Sequence, residues 1–431
     1  MNSILYLPTR YFPSISGAEF YFQRMAEILS KRFNYKIDIF TSNAIDFKAL
    51  RNSKGKIIMY NDNYFNQVNN LKIKRFPVNY NLSKIEKLKK LKSIPAYTSL
   101  NLSDISTLKY IKNGPYLDGL IDYLLKQPDL KYDLIHTTFF PYFNLIISLI
   151  IGNLIDIPKV CTPFFHFSNP RYSELELIDV LKKFDLIIAC TKLEKNFLIQ
   201  NYKINPNTIE VIPMGVDYEK FANFQKKSSN YYFFKQKFFN IKEKSYKLVL
   251  FCGNKNYEKG AISILKAIPY ILEEFRKVYF VFIGPPTMGF NRECSKIQKL
   301  DDVKIINLTP DNLTGYFDKK KISAFNEADI YLMPSRSDAY GISFLEAWAA
   351  GKPVIGARIG ATPEVIREKV DGLLVEFDNP EDIAQKVITL LKRKRLRKKL
   401  GLAGQSKVYQ NLNWNNIANT THITYQNLIS I

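Results

Sequence analysis

The strongest constraint on the fold is an alternation of short apolar runs with helix-length segments, which starts twice along the chain. The first run, at residues 4–7, leads through a turn-rich stretch into apolar positions at helical spacing. The second start is KLVLFCG, which ends at Gly253 and precedes a polar loop and another helix-like segment. Further strand-like runs are KIDIF at 36, DLIH at 133, KVCT at 159, DLIIAC at 185, VYFVFIG at 278, VKII at 303, DIYLMP at 329 and PVIG at 353. This order predicts an α/β protein with two doubly wound parallel sheets.

The junction between the two halves is predicted at IPMGVDYEKF, residues 212–221. Pro213 and Gly215 follow a strand there and suit a hinge, and the stretch after them is polar and poorly patterned. The predicted domains are therefore 1–214 and 215–404. The remaining segment, 405–431, has helical spacing and lies beyond the last α/β unit.

The chain carries a large positive charge, because 62 Lys and Arg residues against 40 Asp and Glu residues give a net charge of +22. Such an excess indicates an anionic partner, and nucleic acid, an anionic membrane surface and an anionic small ligand all fit it. A hydrophobic content of 46% in 431 residues excludes a disordered chain and suffices for a core in each of two or three domains.

The cysteines and the apolar segments indicate a protein of the reducing cytosol. The four cysteines are scattered, with no CxxC pair and no histidine at ligand spacing, so neither a zinc site nor a disulfide framework is predicted. The N-terminus lacks the pattern of a secretory signal. The longest apolar run, residues 143–157, is interrupted by polar residues and falls short of the roughly 20 residues of a membrane span, so we predict a buried helix there.

Three predicted strand-to-helix loops have the composition of ligand-binding loops. Each contains a glycine: Gly17 in SISGAE, Gly260 in NKNYEKG and Gly341 in SRSDAYGISFLE. In an open parallel sheet, ligands bind beyond the carboxyl ends of the strands, where helix N-termini present unpaired N–H groups. A glycine lets the backbone approach a ligand closely, although a packing requirement also explains a glycine in such a turn.

The third loop is distinguished by two carboxylates, Asp338 and Glu346, on either side of Gly341. If a helix begins near Gly341, Asp338 precedes it and Glu346 lies roughly one and a half turns inside it. The two acids then suit a ligand with hydroxyl groups at both ends and an anion between them, which the N–H groups at residues 340–343 would bind. The alternative is purely structural, with Asp338 as a helix cap and Glu346 on the surface.

The segment SDAYGISFLEAWAAGKPVIGARIGATPEVIREKVDGLLVE resembles the signature region of the family 4 retaining glycosyltransferases. IEVIPMGVDYEKF is similar to the interdomain segment of that family, VLFCGNKNYEKG to its phosphate-contacting loop, DLIIACTKLEK to a strand and helix of its N-terminal domain, and SISGAE to its first glycine loop. The resemblance implies a GT-B fold, with two Rossmann-like domains facing across a cleft. The N-terminal domain would bind the acceptor, the C-terminal domain the nucleotide-sugar, and the C-terminal helix would cross back to the N-terminal domain.

The resemblance also implies roles for individual residues. Glu346 matches an acid that binds the ribose, and Asp338 stands where the family usually has a Glu that contacts the transferred sugar. Lys259 matches the lysine that faces the donor diphosphate, where a cation neutralises charge on the leaving group. Asn254 occupies a position where the family commonly has Arg, and an amide does not supply that charge. His166, in CTPFFHFS, matches a histidine that approaches the donor sugar.

The resemblance thus gives two sets of site residues and no metal site. The catalytic set is His166, Lys259 and Asp338, and the donor-binding set is Gly17, Asn254, Gly341, Ile342, Ser343 and Glu346. His136, at the end of DLIH, is a candidate for the acceptor side, whereas His422 is expected to be structural. The chain lacks the Asp-x-Asp pair that other transferase folds use to hold a divalent metal. No metal and no cofactor are therefore expected, since the nucleotide-sugar is a substrate.

The function that follows is metal-independent transfer of a sugar, with retention of configuration, from a nucleotide-sugar donor to a glycan or lipid-linked acceptor. A phosphorylase or synthase of the same fold, acting on soluble sugars, is the alternative. A nucleic-acid-binding protein is a more distant one, because the basic run KRKRLRKKL at 392–400 fits a solvated helix face and no recognition motif accompanies it. A Rossmann dehydrogenase is disfavoured because the first strand-to-helix turn lacks GxGxxG.

The stretch LSKIEKLKKLKSI, residues 82–94, bears on the acceptor. It places Ile85, Leu88, Leu91 and Ile94 roughly on one side, with five lysines and one glutamate around them. A basic amphipathic helix of this kind can lie on anionic lipid. We therefore hypothesise a cytoplasmic protein attached peripherally to the inner face of the cell membrane, with a lipid-linked acceptor. The alternative is an ordinary surface helix whose apolar side faces the core.

Overall fold

The computed structural model describes residues 2–14, 16–59, 66–127, 130–222 and 233–430. They form two compact units, Met1–Pro213 with Ile417–Ile431, and Met214–Asn416. The strands are β1 (Ser3–Pro8), β2 (Lys36–Ser42), β3 (Gln67–Val68), β4 (Leu71–Phe76), β5 (Leu134–Thr138), β6 (Lys159–Cys161), β7 (Leu186–Ala189), β8 (Ile209–Val211), β9 (Lys247–Cys252), β10 (Val278–Ile283), β11 (Ile305–Leu308), β12 (Ile330–Met333), β13 (Val354–Ala357) and β14 (Gly372–Val375).

The helices occupy the segments between these strands and the C-terminal part of the chain. They are α1 (Gly17–Phe33), α2 (Lys84–Lys92), α3 (Pro95–Thr98), α4 (Asp104–Asn113), α5 (Asp118–Leu125), α6 (Asn144–Leu154), α7 (Leu175–Leu181), α8 (Lys192–Tyr202), α9 (Tyr218–Ala222), α10 (Phe234–Phe238), α11 (Ala261–Glu274), α12 (Met288–Ile297), α13 (Lys319–Glu327), α14 (Ile342–Ala349), α15 (Thr362–Val365), α16 (Pro380–Lys392), α17 (Lys394–Asn411) and α18 (Trp414–Ile429). In the described part of the chain, no helix combines the length and apolar character needed to cross a bilayer.

Each unit is built on one twisted sheet. The first sheet has the strand order β3-β4-β2-β1-β5-β6-β7-β8, and the second has the order β11-β10-β9-β12-β13-β14. The described pairings are parallel except for the short β3–β4 pair at an edge of the first sheet. The predicted α/β architecture with two doubly wound sheets is therefore confirmed.

The central strands are apolar throughout because helices cover both faces of a parallel sheet. All six residues of β10 and all four residues of β12 are buried. The apolar run at 143–157 forms the buried helix α6, as predicted, with every residue from Asn144 to Gly152 inside the core of the first unit. The strand β4 was not predicted, because the lysines of LKIKRF interrupt its apolar pattern.

The end of the second unit lies further along the chain than predicted. The first boundary falls between Pro213 and Met214, within one residue of the predicted site, but the second unit continues to Asn416 rather than ending at residue 404. Gln405 lies inside α17, where its side-chain amide donates to the Ala349 carbonyl at 2.9 Å. The segment that belongs to the first unit therefore starts at Ile417, and there Tyr425 contacts His136 at 2.5 Å.

Candidate functional site

The loops that follow β9 and β12 lie side by side at the carboxyl edge of the second sheet. They are neighbours because β9 and β12 pair in the sheet. The Arg336 amide donates to the Glu258 carbonyl at 2.8 Å. At Gly260, which has φ +73°, an added Cβ would lie 2.2 Å from the Pro334 carbonyl oxygen. The two loops are thus packed backbone to backbone, which fixes the position of Lys259.

Replacing Gly260 is expected to disturb this junction. Gly260→Ala would place a side chain in the left-handed region, at about 1–2 kcal/mol, and would also force the Pro334 carbonyl to move. The matched control is Gly253→Ala in the same loop, where the added Cβ would meet nothing closer than 3.7 Å. We expect Gly260→Ala to lower the urea midpoint of the second unit and Gly253→Ala to leave it nearly unchanged. Equal midpoints for the two variants would contradict the packing described.

The predicted catalytic residues Lys259 and Asp338 form an ion pair. The Lys259 Nζ lies 2.8 Å from Asp338 Oδ2 and also donates to the Ser337 carbonyl at 3.0 Å. The two side chains are 19% and 15% exposed, so the pair is partly accessible to solvent at the edge of the sheet. An ammonium has three N–H donors, and these are its two acceptors among the described residues. One donor of Lys259 therefore remains for a ligand oxygen.

Glu346 is buried, which excludes the interpretation of this acid as a surface residue. Its side chain is 2% exposed, and its Oε1 lies 2.7 Å from the Nζ of Lys321, which is 9% exposed. The Lys321 ammonium also sits 3.8 Å from the centre of the Tyr316 ring. Burial, with the Glu346 carboxylate nearby, raises the pKa of Tyr316, so that hydroxyl stays protonated. Lys321 was missed at the sequence level because nothing in the run KKK at 319–321 shows which lysine points inward.

The helix that carries Glu346 starts at Gly341, as predicted. Gly341 is the N-cap of α14 with φ 86°, and it provides no side-chain cap. Asp338 is therefore not the helix cap. An added Cβ at Gly341 would lie 2.6 Å from Phe344 Cδ2, so the turn requires glycine for packing as well as for conformation. Ile342 and Ser343 form the first turn, whose N–H groups have no partners within a helix.

Asp338 and Glu346 both lie close enough to Tyr331 to act on its hydroxyl electrostatically. Tyr331, in β12, is buried, and burial raises its pKa, with the carboxylates of Glu346 and Asp338 adding to the effect. The geometry thus combines two carboxylates, two lysines and a helix N-terminus at one edge of the second sheet. Such a set can bind vicinal hydroxyls through a carboxylate. It can also bind a phosphate through the cations and the backbone N–H groups.

Lys255 does not take the place of the arginine that the resemblance leads us to expect at position 254. Asn254 is exposed. Lys255, the residue considered as its substitute, is fully buried and donates to the Leu308 carbonyl at 3.0 Å and to Asn307. Burial lowers the pKa of Lys255 to about 8. This lysine is therefore part of the packing of the second unit and does not face a ligand at the loop.

Gly17 and His166 belong to the first unit. Gly17 is exposed at the first residue of α1. His166 is half-buried after β6, with its ring centre 5.2 Å from that of Tyr172 and 6.3 Å from that of Phe139. Close to Gly17, a buried ion pair between Arg10 and Glu19 at 2.7 Å connects the segment after β1 to the start of α1, and no sequence pattern indicates it.

His136 is a core residue, so its assignment to the acceptor side is wrong. It is fully buried, and its two ring nitrogens contact the Tyr425 hydroxyl at 2.5 Å and Thr162 Oγ1 at 2.8 Å. The third histidine, His422, stacks on Phe33 and contacts the Tyr35 hydroxyl at 2.9 Å. The expectation that His422 is structural agrees with these contacts.

Acid is expected to destabilise the first unit through His136. Burial lowers the pKa of His136 from 6.5 to about 3. The unfolded chain therefore binds more protons between these values, so stability falls as the pH drops below 6.5, by about 2 kcal/mol at pH 5. We expect hydrogen exchange at the β5 amides, corrected for intrinsic rates, to show this loss in the wild type and a smaller loss in His136→Gln.

The second unit provides the internal control for this experiment. The chain has three histidines, all in the first unit, and two tryptophans, both in the second. Unfolding of the second unit, followed by tryptophan fluorescence, should therefore lack the histidine-dependent change between pH 5 and 7. Parallel pH profiles for wild type and His136→Gln at β5 would contradict the assignment.

The basic helix α2 packs its apolar side into the core of the first unit. Leu88, Leu91 and Ile94 are buried, and only Ile85, at 55% exposure, remains on the outside. The core-facing interpretation is therefore confirmed for three of the four apolar positions. The other basic run, at 392–400, is exposed except for a few positions, of which Arg397 donates to the Leu391 carbonyl at 2.7 Å.

Two Rossmann-like units, with the candidate donor site at the carboxyl edge of the second sheet, define the GT-B class of fold. The crystal structure of Anabaena Alr3699/HepE in complex with UDP and glucose matches 99% of this chain and 99% of its own, with a TM-score of 0.71 and 15% identity. The same protein in complex with UDP-glucose gives a TM-score of 0.71.

Sequence comparison identifies the family. The model of "Glycosyl transferases group 1" matches residues 233–407, and that of "Glycosyltransferase Family 4" matches residues 98–220. An uncharacterized glycosyltransferase, MJ1069 of Methanocaldococcus jannaschii, is 24% identical over 95% of each chain. A D-inositol 3-phosphate glycosyltransferase of Segniliparus rotundus is 26% identical over 51% of this chain and 47% of its own. The chain belongs to family 4 of the glycosyltransferases.

Proposed function

We propose that this glycosyltransferase transfers a sugar from a nucleotide-sugar to a glycan or lipid-linked acceptor, with retention of configuration and without a metal. The observation that carries the donor assignment is the cluster at the start of α14. There a buried carboxylate, Glu346, and the ion pair of Lys259 with Asp338 lie at one sheet edge. Support also comes from HepE, a protein of the same fold whose crystal structures contain UDP and UDP-glucose.

In this proposal each residue has a separate task. Glu346, oriented by Lys321, accepts hydrogen bonds from the two ribose hydroxyls. The N–H groups at Gly341, Ile342 and Ser343 bind the diphosphate. Lys259 stabilises the negative charge that develops on the leaving diphosphate as the glycosidic bond breaks.

Further tasks concern the sugar itself. Asp338, held by Lys259, faces the transferred sugar. His166 and Gly17, in the first unit, stay predicted donor contacts. The leaving phosphate accepts the proton of the attacking hydroxyl on the same face. This last step is what retention requires when no enzymic nucleophile takes part.

The proposal of metal independence rests on the positive charge of the candidate site. Lys259 and the N–H groups at the start of α14 would neutralise a diphosphate without a divalent ion. We expect activity to persist in excess EDTA. A requirement for added Mg²⁺ or Mn²⁺ would contradict this part of the proposal.

The donor assignment is tested by a thermal-shift panel of UDP-, GDP-, ADP- and TDP-sugars. We expect at least one of them to stabilise the wild type and to stabilise Glu346→Ala much less. The matched control is Glu274→Ala, which removes an exposed acid of the same unit. If no nucleotide-sugar stabilises the wild type, or if Glu346→Ala responds like Glu274→Ala, the donor site is misassigned.

A cytoplasmic location and attachment to an anionic membrane remain predictions. Because the apolar side of α2 is packed into the core, we propose that any contact with lipid is electrostatic, through exposed lysines such as Lys89 and Lys90. Flotation with phosphatidylglycerol vesicles should then be abolished by salt and weakened in Lys89→Gln/Lys90→Gln. Binding that resists 0.5 M salt, or no flotation at all, would contradict it.

A further inference from the structure

A pocket of about 230 Å³ opens in the first unit at the carboxyl edge of its sheet. Its walls are the loops after β2 and β4, the start of α2 and the end of α4. β2 and β4 are parallel neighbours, with Ser42 opposite Phe76, so both loops leave the sheet at the edge where α/β sheets bind ligands. Sites that enclose a whole small molecule measure about 300–1,000 Å³. This pocket therefore fits one group of a larger ligand.

The lining of the pocket is strongly cationic. Arg51, Lys84, Lys87 and Lys112 line it, and no carboxylate is among the described lining residues. Arg51, Lys84 and Lys112 are exposed, and within the described ranges none of them forms an ion pair. These three cations, together with the Lys87 ammonium, make a region of high positive potential, which attracts an anion.

Two carboxylates close to the pocket are turned to other partners. Glu86 folds back on the start of α2 and accepts from the Ser83 amide at 2.8 Å, in a capping box. Asp118 accepts from Asn79 Nδ2 at 2.7 Å and lies 3.7 Å from the Lys90 ammonium. Neither acid occupies the place of an anion in the pocket.

Lys87 is the fixed cation of the set. Its Nζ donates to the Asn79 carbonyl at 2.8 Å and lies 5.2 Å from the centre of the Tyr116 ring. Burial lowers the pKa of Lys87, with Asp118 opposing the effect. A half-buried ammonium with one fixed acceptor keeps donors for a ligand and loses less entropy on binding than a freely moving lysine does.

The opposite wall is held in place by backbone packing. Gly114, the C-cap of α4, has φ +65°, and an added Cβ would lie 1.9 Å from the Leu50 carbonyl oxygen. The Tyr80 hydroxyl donates to the Ala49 carbonyl at 2.5 Å. These contacts press the loop that carries Arg51 against the end of α4, so Arg51 and Lys112 line the same wall.

We infer that this pocket binds a phosphate group and, resting on the proposed function, that the acceptor carries that group. A phosphate monoester offers three oxygens and a charge of about −1.5 to −2, which matches several converging donors better than a carboxylate does. Arg51 supplies the planar fork that suits phosphate oxygens, and Lys84, at the first residue of α2, adds an ammonium beside it.

Site-resolved acylation of lysines tests the pocket directly. The protein is treated with an amine-reactive ester, with and without inorganic phosphate or glucose 1-phosphate, at an ionic strength matched with KCl, and modified peptides are quantified by mass spectrometry. We expect at least threefold slower modification of Lys84, Lys87 and Lys112 in the presence of phosphate. Exposed lysines elsewhere in the first unit serve as references: Lys31, Lys72 and Lys131.

Two variants make the test specific. In Arg51→Gln/Lys84→Gln/Lys112→Gln, phosphate should no longer protect Lys87, whereas Lys31→Gln/Lys72→Gln/Lys131→Gln removes the same charge and should retain the protection. Phosphatidylglycerol vesicles distinguish the source of the phosphate, since protection by vesicles as well as by phosphate would assign it to a lipid-linked acceptor. Protection by phosphate alone would assign it to a soluble one.

Other outcomes would overturn the inference. Equal modification rates of the pocket lysines with and without phosphate would overturn it. Protection by acetate as strong as that by phosphate would overturn it too, as would equal protection of the pocket lysines and the reference lysines. The donor panel decides the proposed function separately. A nucleotide-sugar that stabilises the protein while phosphate leaves the pocket unprotected refutes only the inference, and the reverse result refutes only the donor assignment.

Discussion

Glu346→Ala is expected to weaken nucleotide-sugar binding about 10–150-fold and to destabilise the second unit by about 3–5 kcal/mol. The loss of stability follows because the variant leaves the Lys321 ammonium, 9% exposed, without its carboxylate partner at 2.7 Å. The loss of binding follows because a charged hydrogen-bond acceptor for the ribose is removed, at about 1.5–3 kcal/mol. The two losses have different origins, so a second substitution can separate them.

The double variant Lys321→Met/Glu346→Leu is the separating experiment. Replacing a buried ion pair by apolar residues of similar volume is often neutral or stabilising. We therefore expect the urea midpoint, followed by the fluorescence of Trp348 and Trp414, to return towards the wild-type value while nucleotide-sugar binding stays as weak as in Glu346→Ala. Recovery of binding in the double variant would show that Glu346 serves the fold alone.

The structure bears out those parts of the sequence analysis that rest on dense local patterns. Strands such as β10 and β12 were predictable because a strand buried on both faces is a continuous apolar run. The strand β4 was not, because it alternates buried residues with Lys72 and Lys74, and a short strand interrupted by lysines does not differ clearly in pattern from a polar loop.

The residues that one loop and the helix after it contribute to the candidate site were predictable from the sequence. The buried lysine that contacts them was not. Gly341, Asp338 and Glu346 lie in one short segment, so their grouping at a helix start could be anticipated. Lys321 could not, because it comes from another helix and reaches Glu346 only through tertiary packing. The charge state of His136 was also inaccessible, since a histidine at the end of a strand is equally compatible with a ligand site and with the core.

Replacing Lys259 is expected to have the largest effect on turnover. Lys259→Met should lower kcat about 10²–10³-fold, or about 2.7–4 kcal/mol, because it removes a fixed cation from the place where charge develops on the leaving group. Its effect on stability should be smaller than that of Glu346→Ala, because Lys259 and Asp338 are 19% and 15% exposed and the separated charges can be hydrated. The measurement is hydrolysis of whichever nucleotide-sugar stabilises the wild type.

A double-mutant cycle with Asp338→Asn decides whether Lys259 acts on the ligand or only on its ion-pair partner. If Lys259 serves only to hold Asp338, the effect of Lys259→Met on kcat should vanish in the Asp338→Asn background. If Lys259 acts on the diphosphate, the 10²–10³-fold loss should persist there, at about the same size. Because one N–H of Lys259 lies beyond its contacts with Asp338 and Ser337, we expect the loss to persist. Lys259→Arg should restore part of the rate, since it keeps the charge but changes the geometry of the donors.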